Sequence, residues 1–375
     1  MNWAGWVAEQ CRSIVAAGRW RATRDLDAAG PAGHLVDGGR SRAVVSFASN
    51  DYLGLTQHPS VVAAAHAALD RWGAGAGAAR LIVGSRPVHS ELETALAAWK
   101  GAEAALVFPT GFAANLGVLS TFTGPGVRVC SDELNHASIV DGCRLGRGEV
   151  VVYPHRDMGA LDRALSGGGR ALVVTDTVFS MDGDEAPVDD LLEICRRHGT
   201  LLVLDEAHAV LGPDVPSTDP TDVPVLRVGT LSKTLGSLGG FVAGPRPFVE
   251  LLVNRARPFI FTTALSPADT AAALAALAVL RGEEGEGLRR RLRSHVERVA
   301  PGHPSPIIPI LLGEERRALA ASAALLERGL LVPAIRPPTV AAGTSRLRVA
   351  LSAAHTDDQI DLLVGALREV VGAAA

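Results

Sequence analysis

Between residues 86 and 250, short apolar segments alternate with helical stretches. The apolar segments are rich in β-branched residues and predict seven strands, at 104–108, 127–130, 149–153, 171–175, 201–205, 225–230 and 240–243. The intervening stretches predict helices at 87–100, 111–122, 137–145, 158–166 and 188–198. This alternation is typical of an α/β domain with a mostly parallel sheet that is covered on both faces.

The rest of the chain has a different pattern of predicted helices and strands. We expect a helix from Trp3 to about Trp20, a polar connection, a short strand at 44–47 and a helix that ends at Trp72. After residue 255 we predict a helix pair at 267–299, strands at 307–312, 330–335 and 346–352, and helices at 315–328 and 357–370. Because 375 residues exceed one ordinary core, we predict three parts. These are an N-terminal helical segment (1–45), a large α/β domain (46–255) and a small α+β domain (256–375).

Charge and cysteine usage exclude several classes of protein. A net charge of -4, from 36 basic and 40 acidic residues, does not favour binding to nucleic acid or to anionic membranes. The four cysteines lack CxxC spacing, so we expect reduced thiols and no metal site. The start of the chain does not resemble a signal peptide, and the apolar run at 271–280 is too short to span a bilayer. A cytoplasmic location is therefore expected.

Ligands of parallel α/β sheets bind beyond the carboxyl ends of the strands, which directs attention to the residues there. The sequence contains only two lysines, Lys100 and Lys233. Lys233 follows the strand at 225–230 in a glycine-flanked turn, which suits an amine that forms a Schiff base in a desolvated pocket. A solvated surface lysine is the alternative. Lys100 ends a predicted helix, where a cation interacts favourably with the helix dipole.

Asp205 ends the apolar strand at 201–205, where a buried carboxylate requires a partner. The protonated ring nitrogen of pyridoxal 5'-phosphate (PLP) would supply that partner and act as an electron sink. A magnesium-binding acid or a capping aspartate are the alternatives, but the sequence has no Gly-x-x-x-x-Gly-Lys-Ser/Thr motif. Gly111 opens a helix whose free N–H groups could bind phosphate. His136 precedes another helix, either as a cap or as a ring that stacks on a planar cofactor.

These elements together indicate a PLP enzyme, and at this point a resemblance becomes specific. The chain resembles the α-oxoamine synthase family of fold-type I PLP enzymes, which condense an amino acid with an acyl thioester and release CO₂. The matching segments occur in family order and span nearly the whole chain. They are FASNDYLGL (47–55), TGFAAN (110–115), NHAS (135–138), VFSMDGD (178–184), DEAH (205–208) and TLSKTLG (230–236).

The resemblance implies a role for each matching position. Lys233 would bind PLP covalently and act as the base, Asp205 would pair with the ring nitrogen, and His136 would stack on the ring. The further PLP contacts would be Ser180 and His208 near the phenolic oxygen, and Gly111, Phe112 and Thr230 at the phosphate. Thr262 and Thr263 match a segment that reaches the phosphate in the neighbouring subunit, which implies an obligate homodimer with shared sites.

The segment at 334–348 resembles the biotin-pathway branch of the family, which implies L-alanine and a pimeloyl thioester as substrates. Arg348 would hold the alanine carboxylate, although the residue pattern alone allows a surface arginine on an edge strand. The other substrate contacts implied are Asn50, His136, Thr339 and Arg21, with Arg24 as a competitor of Arg21. The thioester could be carried by coenzyme A or by an acyl-carrier protein.

Two loops depart from the family pattern. Residues 75–79 have alanines where hydroxyls are expected, and 209–216 lack the usual Gly-Arg-Gly ending. Both departures concern the acyl-substrate side. Two alternatives stay open: a glycine-using synthase such as 2-amino-3-oxobutyrate CoA ligase, and another kind of PLP-fold protein, either an aminotransferase or aldolase or a non-catalytic member.

Overall fold

The computed structural model describes residues 2–216 and 218–372. The chain begins with helix α1 (Trp3–Ala16) and strands β1 (Asp25–Ala28), β2 (Ala32–Asp37) and β3 (Arg40–Ser46). The predicted N-terminal helix is confirmed, although it ends four residues before Trp20. The prediction of a polar connection after this helix was wrong, because β1, β2 and β3 pair as an antiparallel meander in this segment.

A two-residue turn explains the hairpin. Gly38 and Gly39 join β2 to β3, and both have positive φ, 54° and 79°. This conformation at both central positions matches the twist of the flanking strands, and glycine adopts it without steric cost. The Asp-Gly-Gly sequence at 37–39 therefore carried a turn signal that the low hydropathy of the region obscured.

The central sheet has seven strands, as predicted. In chain order the elements are α2 (Pro59–Trp72), α3 (Pro87–Lys100), β4 (Ala104–Phe108), α4 (Gly111–Phe122), β5 (Val127–Asp132), α5 (Ala137–Gly146), β6 (Glu149–Tyr153), α6 (Met158–Leu165), β7 (Arg170–Asp176), α7 (Val188–His198), β8 (Leu201–Asp205), β9 (Val225–Thr230) and β10 (Gly240–Gly244). The strand order is β4-β10-β9-β8-β7-β5-β6. Strand β10 runs antiparallel to both of its neighbours, β4 and β9, whereas the other neighbouring strands of this sheet pair in parallel.

Side chains of the middle strands are buried on both faces of this sheet. Val174 and Val203 lie in one hydrophobic cluster, and Val173, Leu202 and Leu204 lie in another. Successive residues of a strand point to opposite faces, so a strand between two covering layers is apolar throughout. The polar residues at the ends of these strands are thereby fixed by a rigid sheet.

The remaining elements are α8 (Arg246–Arg255), α9 (Arg257–Ile260), α10 (Pro267–Arg281), α11 (Glu283–Val299), β11 (Ile307–Gly313), α12 (Glu315–Glu327), β12 (Leu330–Leu331), β13 (Ala334–Ile335), β14 (Ser345–Ala350) and α13 (Asp357–Gly372). The single strand predicted at 330–335 is divided into β12 and β13, with Val332 and Pro333 between them. Strand β12 pairs with β3 and β13 pairs with β14. The predicted domain limits at residues 45 and 255 remain predictions.

Backbone hydrogen bonds join the segment after β3 to the segment around the end of β14. Ala350 N–H donates to Phe47 O over 2.8 Å, and Ala353 N–H donates to Tyr52 O over 2.8 Å. The Ser352 hydroxyl donates to Asp51 O over 2.6 Å. These contacts place Asn50 next to β14. Among the described residues, no helix is long and apolar enough to cross a membrane.

Candidate active site

Lys233 lies in the turn after β9, and its Nζ is 2.8 Å from His208 Nε2. On the other side of the imidazole, His208 Nδ1 is 2.6 Å from the Tyr52 hydroxyl. Burial lowers the pKa of Lys233, although Asp205 and Asp176 act in the opposite direction. Burial, together with the Lys233 charge, holds the pKa of His208 well below its usual range. The site therefore contains a neutral imidazole beside a partly desolvated amine.

Asp205 is buried at the end of β8 and accepts two hydrogen bonds. Asn115 Nδ2 donates to Oδ2 over 2.6 Å, and Ala207 N–H donates to Oδ1 over 2.9 Å. Asn115 also donates to the Ser138 hydroxyl over 2.9 Å, and this hydroxyl is 2.8 Å from His136 Nδ1. In the described part of the chain, Asp205 forms no salt bridge, and so its buried carboxylate could receive a cationic partner.

Asp176 is a second buried carboxylate at the same sheet edge. It lies opposite Asp205 in the pairing of β7 with β8, and its Oδ2 accepts the His136 N–H over 2.7 Å. Burial and the nearby Asp205 hold the pKa of Asp176 well above its ordinary value. Asp176 is not among the site residues that the sequence predicts.

The residues predicted to bind phosphate lie together at the N-terminus of α4. An added Cβ on Gly111 would lie 3.4 Å from Thr230 Cβ, and one on Gly240 would lie 2.5 Å from Gly111 N. Backbone and hydroxyl donors therefore converge where a side chain on Gly240 would not fit. Phe112 is 41% exposed, and its ring centroid is 6.5 Å from that of His136 in an edge-on arrangement.

Arg348 is buried in β14, the central strand of the sheet β11-β14-β13, and is not a surface arginine on an edge strand. Its Nε donates to Ser180 O over 2.6 Å, and its Nη2 donates to Asn50 Oδ1 over 3.1 Å. Asn50 Oδ1 also lies 3.1 Å from the Tyr52 hydroxyl. Arg348, Asn50 and Tyr52 thus form one polar network that continues to His208 and Lys233.

Several of the predicted site residues lie in segments other than those that form this network. Thr339 is exposed in a turn, and Thr262 and Thr263 follow the exposed Phe261. Arg21 is exposed, whereas Arg24 lines a separate groove with Arg40 and Arg42. Arg336 contacts the Gly18 carbonyl, which brings the chain just before Arg21 close to the turn that contains Thr339.

Lys100, the other lysine, is buried in an ionic cluster. Its Nζ contacts Glu206, which also contacts Arg227 Nε, and Arg227 Nη1 donates to Lys100 O over 2.9 Å. Burial lowers the pKa of Lys100 in spite of the opposing charge of Glu206. An amine occupied in this way is poorly placed to react with a carbonyl compound.

Tyr52, Asn115 and Asp176 are the site residues missed by the sequence analysis. Tyr52 and Asn115 occur inside the matching segments 47–55 and 110–115, and Asp176 directly follows the predicted strand at 171–175. Their positions were therefore visible as strand ends or motif members. Their contacts were not visible, because Tyr52 and His208 are 156 positions apart, and Asn115 and Asp205 are 90 apart.

These residues fit PLP. Asp205 offers a buried carboxylate to a ring nitrogen, Lys233 offers an amine of lowered pKa, and the Gly111–Thr230 junction offers donors to a phosphate. A family model for aminotransferase class I and II matches residues 42–367. The chain belongs to this family, has the fold of the fold-type I PLP-dependent transferases, and uses PLP as its cofactor.

More similar relatives define the branch. An 8-amino-7-oxononanoate synthase from Anaeromyxobacter dehalogenans is 51% identical over 98% of this chain and 95% of its own length. One from a Methylobacterium species is 49% identical over 93% of this chain and 95% of its own. Within the larger family, the chain therefore belongs to the 8-amino-7-oxononanoate synthases.

Solved structures agree with this placement. A serine palmitoyltransferase from S. paucimobilis, with bound PLP and myriocin, superposes with a TM-score of 0.88 at 31% identity and covers 99% of this chain and 97% of its own. An 8-amino-7-oxononanoate synthase from Francisella tularensis gives a TM-score of 0.74 at 26% identity and covers 88% and 98%. The predicted family and the seven-stranded fold are thus confirmed.

Proposed function

We propose that this protein condenses L-alanine with a pimeloyl thioester to give 8-amino-7-oxononanoate, CO₂ and a free thiol, as a step of biotin biosynthesis. The observation that carries the proposal is the network from Lys233 through His208 and Tyr52 to Asn50 and Arg348. This network joins an amine of lowered pKa to a buried arginine, the residue type best suited to bind a carboxylate, in a chain about half identical to synthases of that name.

In this proposal, Lys233 and Asp205 hold PLP at its two reactive ends, His136 stacks on the ring, and His208 and Ser180 lie near its phenolic oxygen. The phosphate is bound by Gly111, Phe112 and Thr230. When bound, PLP supplies an electron sink for the bonds at the alanine Cα. The hydrogen bonds from Asn115 and Ala207 keep the Asp205 carboxylate oriented.

Lys233 is the proposed base for the alanine Cα proton. Burial lowers the pKa of its amine, which increases the fraction able to accept a proton near neutral pH. His208 Nε2 is within hydrogen-bond distance of Nζ, and its second nitrogen is fixed by Tyr52. This arrangement limits the directions in which Nζ can point.

Arg348 is proposed to bind the alanine carboxylate. Two of its nitrogens already contact Ser180 O and Asn50 Oδ1, which fixes the guanidinium plane. A fixed plane can orient a carboxylate through parallel hydrogen bonds, as a flexible ammonium cannot. His136 and Asn50 complete the amino-acid side, and Arg21 and Thr339 are assigned to the thioester side, whether the carrier is coenzyme A or an acyl-carrier protein.

A homodimer with shared sites is part of the proposal. Phe261 is 70% exposed and Ile82 is 73% exposed, and the segments that carry them are joined by the Ala264 N–H to Ala78 O hydrogen bond of 3.0 Å. Large apolar side chains exposed beside Thr262 and Thr263 support contact with a second copy there. The buried free thiols of Cys130, Cys143 and Cys195 fit the reducing cytoplasm that we propose as its location.

The test is to incubate the purified protein with PLP, L-alanine and pimeloyl-CoA, and to measure the amino ketone by mass spectrometry and the released thiol by titration. Parallel reactions with glycine plus acetyl-CoA would reveal an aminoketobutyrate ligase. A product without thiol release would indicate an aminotransferase or aldolase and overturn the proposal. Replacing pimeloyl-CoA with a pimeloylated acyl-carrier protein identifies the preferred carrier.

A further inference from the structure

His155, which follows β6, lies between two carboxylates outside the network described above. Its Nδ1 is 3.0 Å from Asp132 Oδ1, and its Nε2 is 2.8 Å from Asp184 Oδ2. The Phe179 ring meets the imidazole edge-on, with centroids 4.3 Å apart. Both ring nitrogens thus face acceptors, and this geometry is satisfied fully only by the doubly protonated imidazolium.

The two carboxylates belong to the two loops that hold the amino-acid side of the site. Asp132 ends β5 and accepts the Leu134 N–H over 2.9 Å, in the turn that leads to His136. Asp184 belongs to the loop at 177–187, where its carbonyl accepts the Phe179 N–H over 3.0 Å. Ser180, which follows Phe179 in this loop, accepts a hydrogen bond from Arg348 through its carbonyl. His155 therefore bridges the support of His136 and the support of Arg348.

The charges around His155 favour its protonated form. Glu133 Oε1 accepts the His155 backbone N–H over 2.9 Å, and Arg156 is itself paired with Asp184 at 3.2 Å. Farther along the loop, burial raises the pKa of Glu185, and Asp182 is paired with Arg346. Burial acts against the charge, but the hydrogen bonds to Asp132 and Asp184 outweigh it and raise the pKa of His155 to about 9.

We propose that His155 is a positioning residue whose imidazolium clamps the 132–136 turn to the 177–187 loop, and that this clamp sets the spacing of His136 and Arg348 around the amino-acid substrate. The inference rests on the proposed function for its kinetic consequence, but the clamp itself does not depend on turnover. His155 touches no reacting atom in this scheme. Its effect passes through Asp132 and Asp184.

The pH dependence has a definite sign. The pKa of His155 is raised in the folded protein above its ordinary value of about 6.5, so the clamp contributes fully below that pH. Its contribution decreases as pH rises and is lost above about 9, where the imidazole is neutral and cannot donate to both carboxylates. Alkaline pH should therefore loosen the 177–187 loop and weaken alanine binding before it affects the fold.

The first experiment uses the full chain without added PLP or substrate. Nitrogen NMR of histidine-labelled protein, assigned with His155→Gln, should show both His155 nitrogens protonated at pH 7.5 and a titration near 9. Hydrogen exchange followed by mass spectrometry should show faster exchange in 177–187 for His155→Gln than for the wild type. A neutral His155 at pH 7.5, or unchanged exchange in that loop, would overturn the clamp whatever the enzyme's activity.

The second experiment measures kinetics with PLP bound. His155→Gln should raise KM for alanine about tenfold, leave KM for the thioester within twofold, and remove the alkaline inflection near 9. Asp184→Asn removes the charge of one of the two carboxylates and should give the same pattern. It serves as the test variant if His155→Gln folds poorly. The matched control is His198→Gln, since His198 Nε2 pairs with Asp162 Oδ1 at 2.8 Å on the α6–α7 surface; it should change none of these quantities. Equal effects of His155→Gln and His198→Gln would reject the proposal.

Discussion

Arg348 and Asn50, 298 positions apart in the sequence, are joined by a hydrogen bond of 3.1 Å between Nη2 and Oδ1. The bond forms because the segment after β3 is hydrogen-bonded to the segment around the end of β14. The guanidinium that is proposed to hold the alanine carboxylate is thus fixed by Asn50 from the N-terminal part of the chain and by Ser180 from the 177–187 loop. A lysine at this position could not reproduce its two contacts and a substrate contact together.

Arg348→Lys is therefore expected to raise KM for alanine and lower kcat, with little change in KM for the thioester. Misorientation of the Cα–H bond slows proton removal, and losses of 10-fold or more, on the order of 1.4 kcal/mol, are expected in kcat. Steady-state kinetics with each substrate varied in turn checks this. Arg42→Lys, on the exposed Arg42–Glu327 pair, is the control. Intact alanine kinetics with a raised thioester KM would reverse the assignment of the two substrates.

Lys233 is expected to be the residue labelled when the PLP-loaded protein is reduced with borohydride and mapped by peptide mass spectrometry. Its neighbour at Nζ is a neutral imidazole, whereas Lys100 contacts the carboxylate of Glu206. Lys233→Ala should bind PLP weakly and show no turnover. Lys100→Met should keep the label on Lys233 but lose stability, on the order of 3 kcal/mol, because it breaks a buried ion pair. Label on Lys100 would contradict the assignment.

Asp205→Asn should reduce kcat by a hundredfold or more, about 3 kcal/mol, because a neutral amide cannot compensate a charged ring nitrogen in a dry site. The carboxylate accepts from Asn115 with one oxygen and from Ala207 with the other, whereas an asparagine has only one side-chain oxygen. One of the two hydrogen bonds is therefore lost, and some PLP affinity with it. The measurement is single-turnover kinetics at saturating PLP. A normal kcat with weaker PLP binding would make the residue merely structural.

Asp176→Asn is expected to stabilise the protein without PLP at neutral pH. The pKa of Asp176 is raised in the folded state, so folding retains a proton that the unfolded chain releases above about pH 4. This penalty is absent below pH 4 and grows as pH rises toward the folded-state pKa. The amide is uncharged at every pH and can still accept the His136 N–H. Melting temperatures should rise by a few degrees at pH 7 and stay unchanged near pH 4.

If the melting temperature of Asp176→Asn rose equally at pH 7 and pH 4, the stabilisation would come from packing and not from ionisation. Asp162→Asn, on a surface pair with His198, is the control. Because the hydrogen bond from His198 lowers the pKa of Asp162, replacing this carboxylate should not stabilise the protein at pH 7.

The sequence by itself determined the strands and helices of the large sheet. Apolar strands buried on both faces and amphipathic helices have distinct periods, and both depend only on neighbours along the chain. The ends of β8 and β9 therefore identified Asp205 and Lys233, and the matching segments identified the family. The strand predicted at 44–47 is the end of β3, whereas β1, β2 and the start of β3 were missed because most of their residues are exposed.

Only the tertiary structure decided which of these residues meet. The sequence allows Arg348 to be a surface residue, whereas the structure buries it in β14, between β11 and β13. Burial, together with Asp205 on the neighbouring strand, raises the pKa of Asp176. Likewise, His155 is a solitary histidine after a strand until β5 and the 177–187 loop bring carboxylates to both ring nitrogens. Desolvation and hydrogen bonding act through space over a few ångströms, and contacts between residues distant in sequence leave no periodic pattern along the chain.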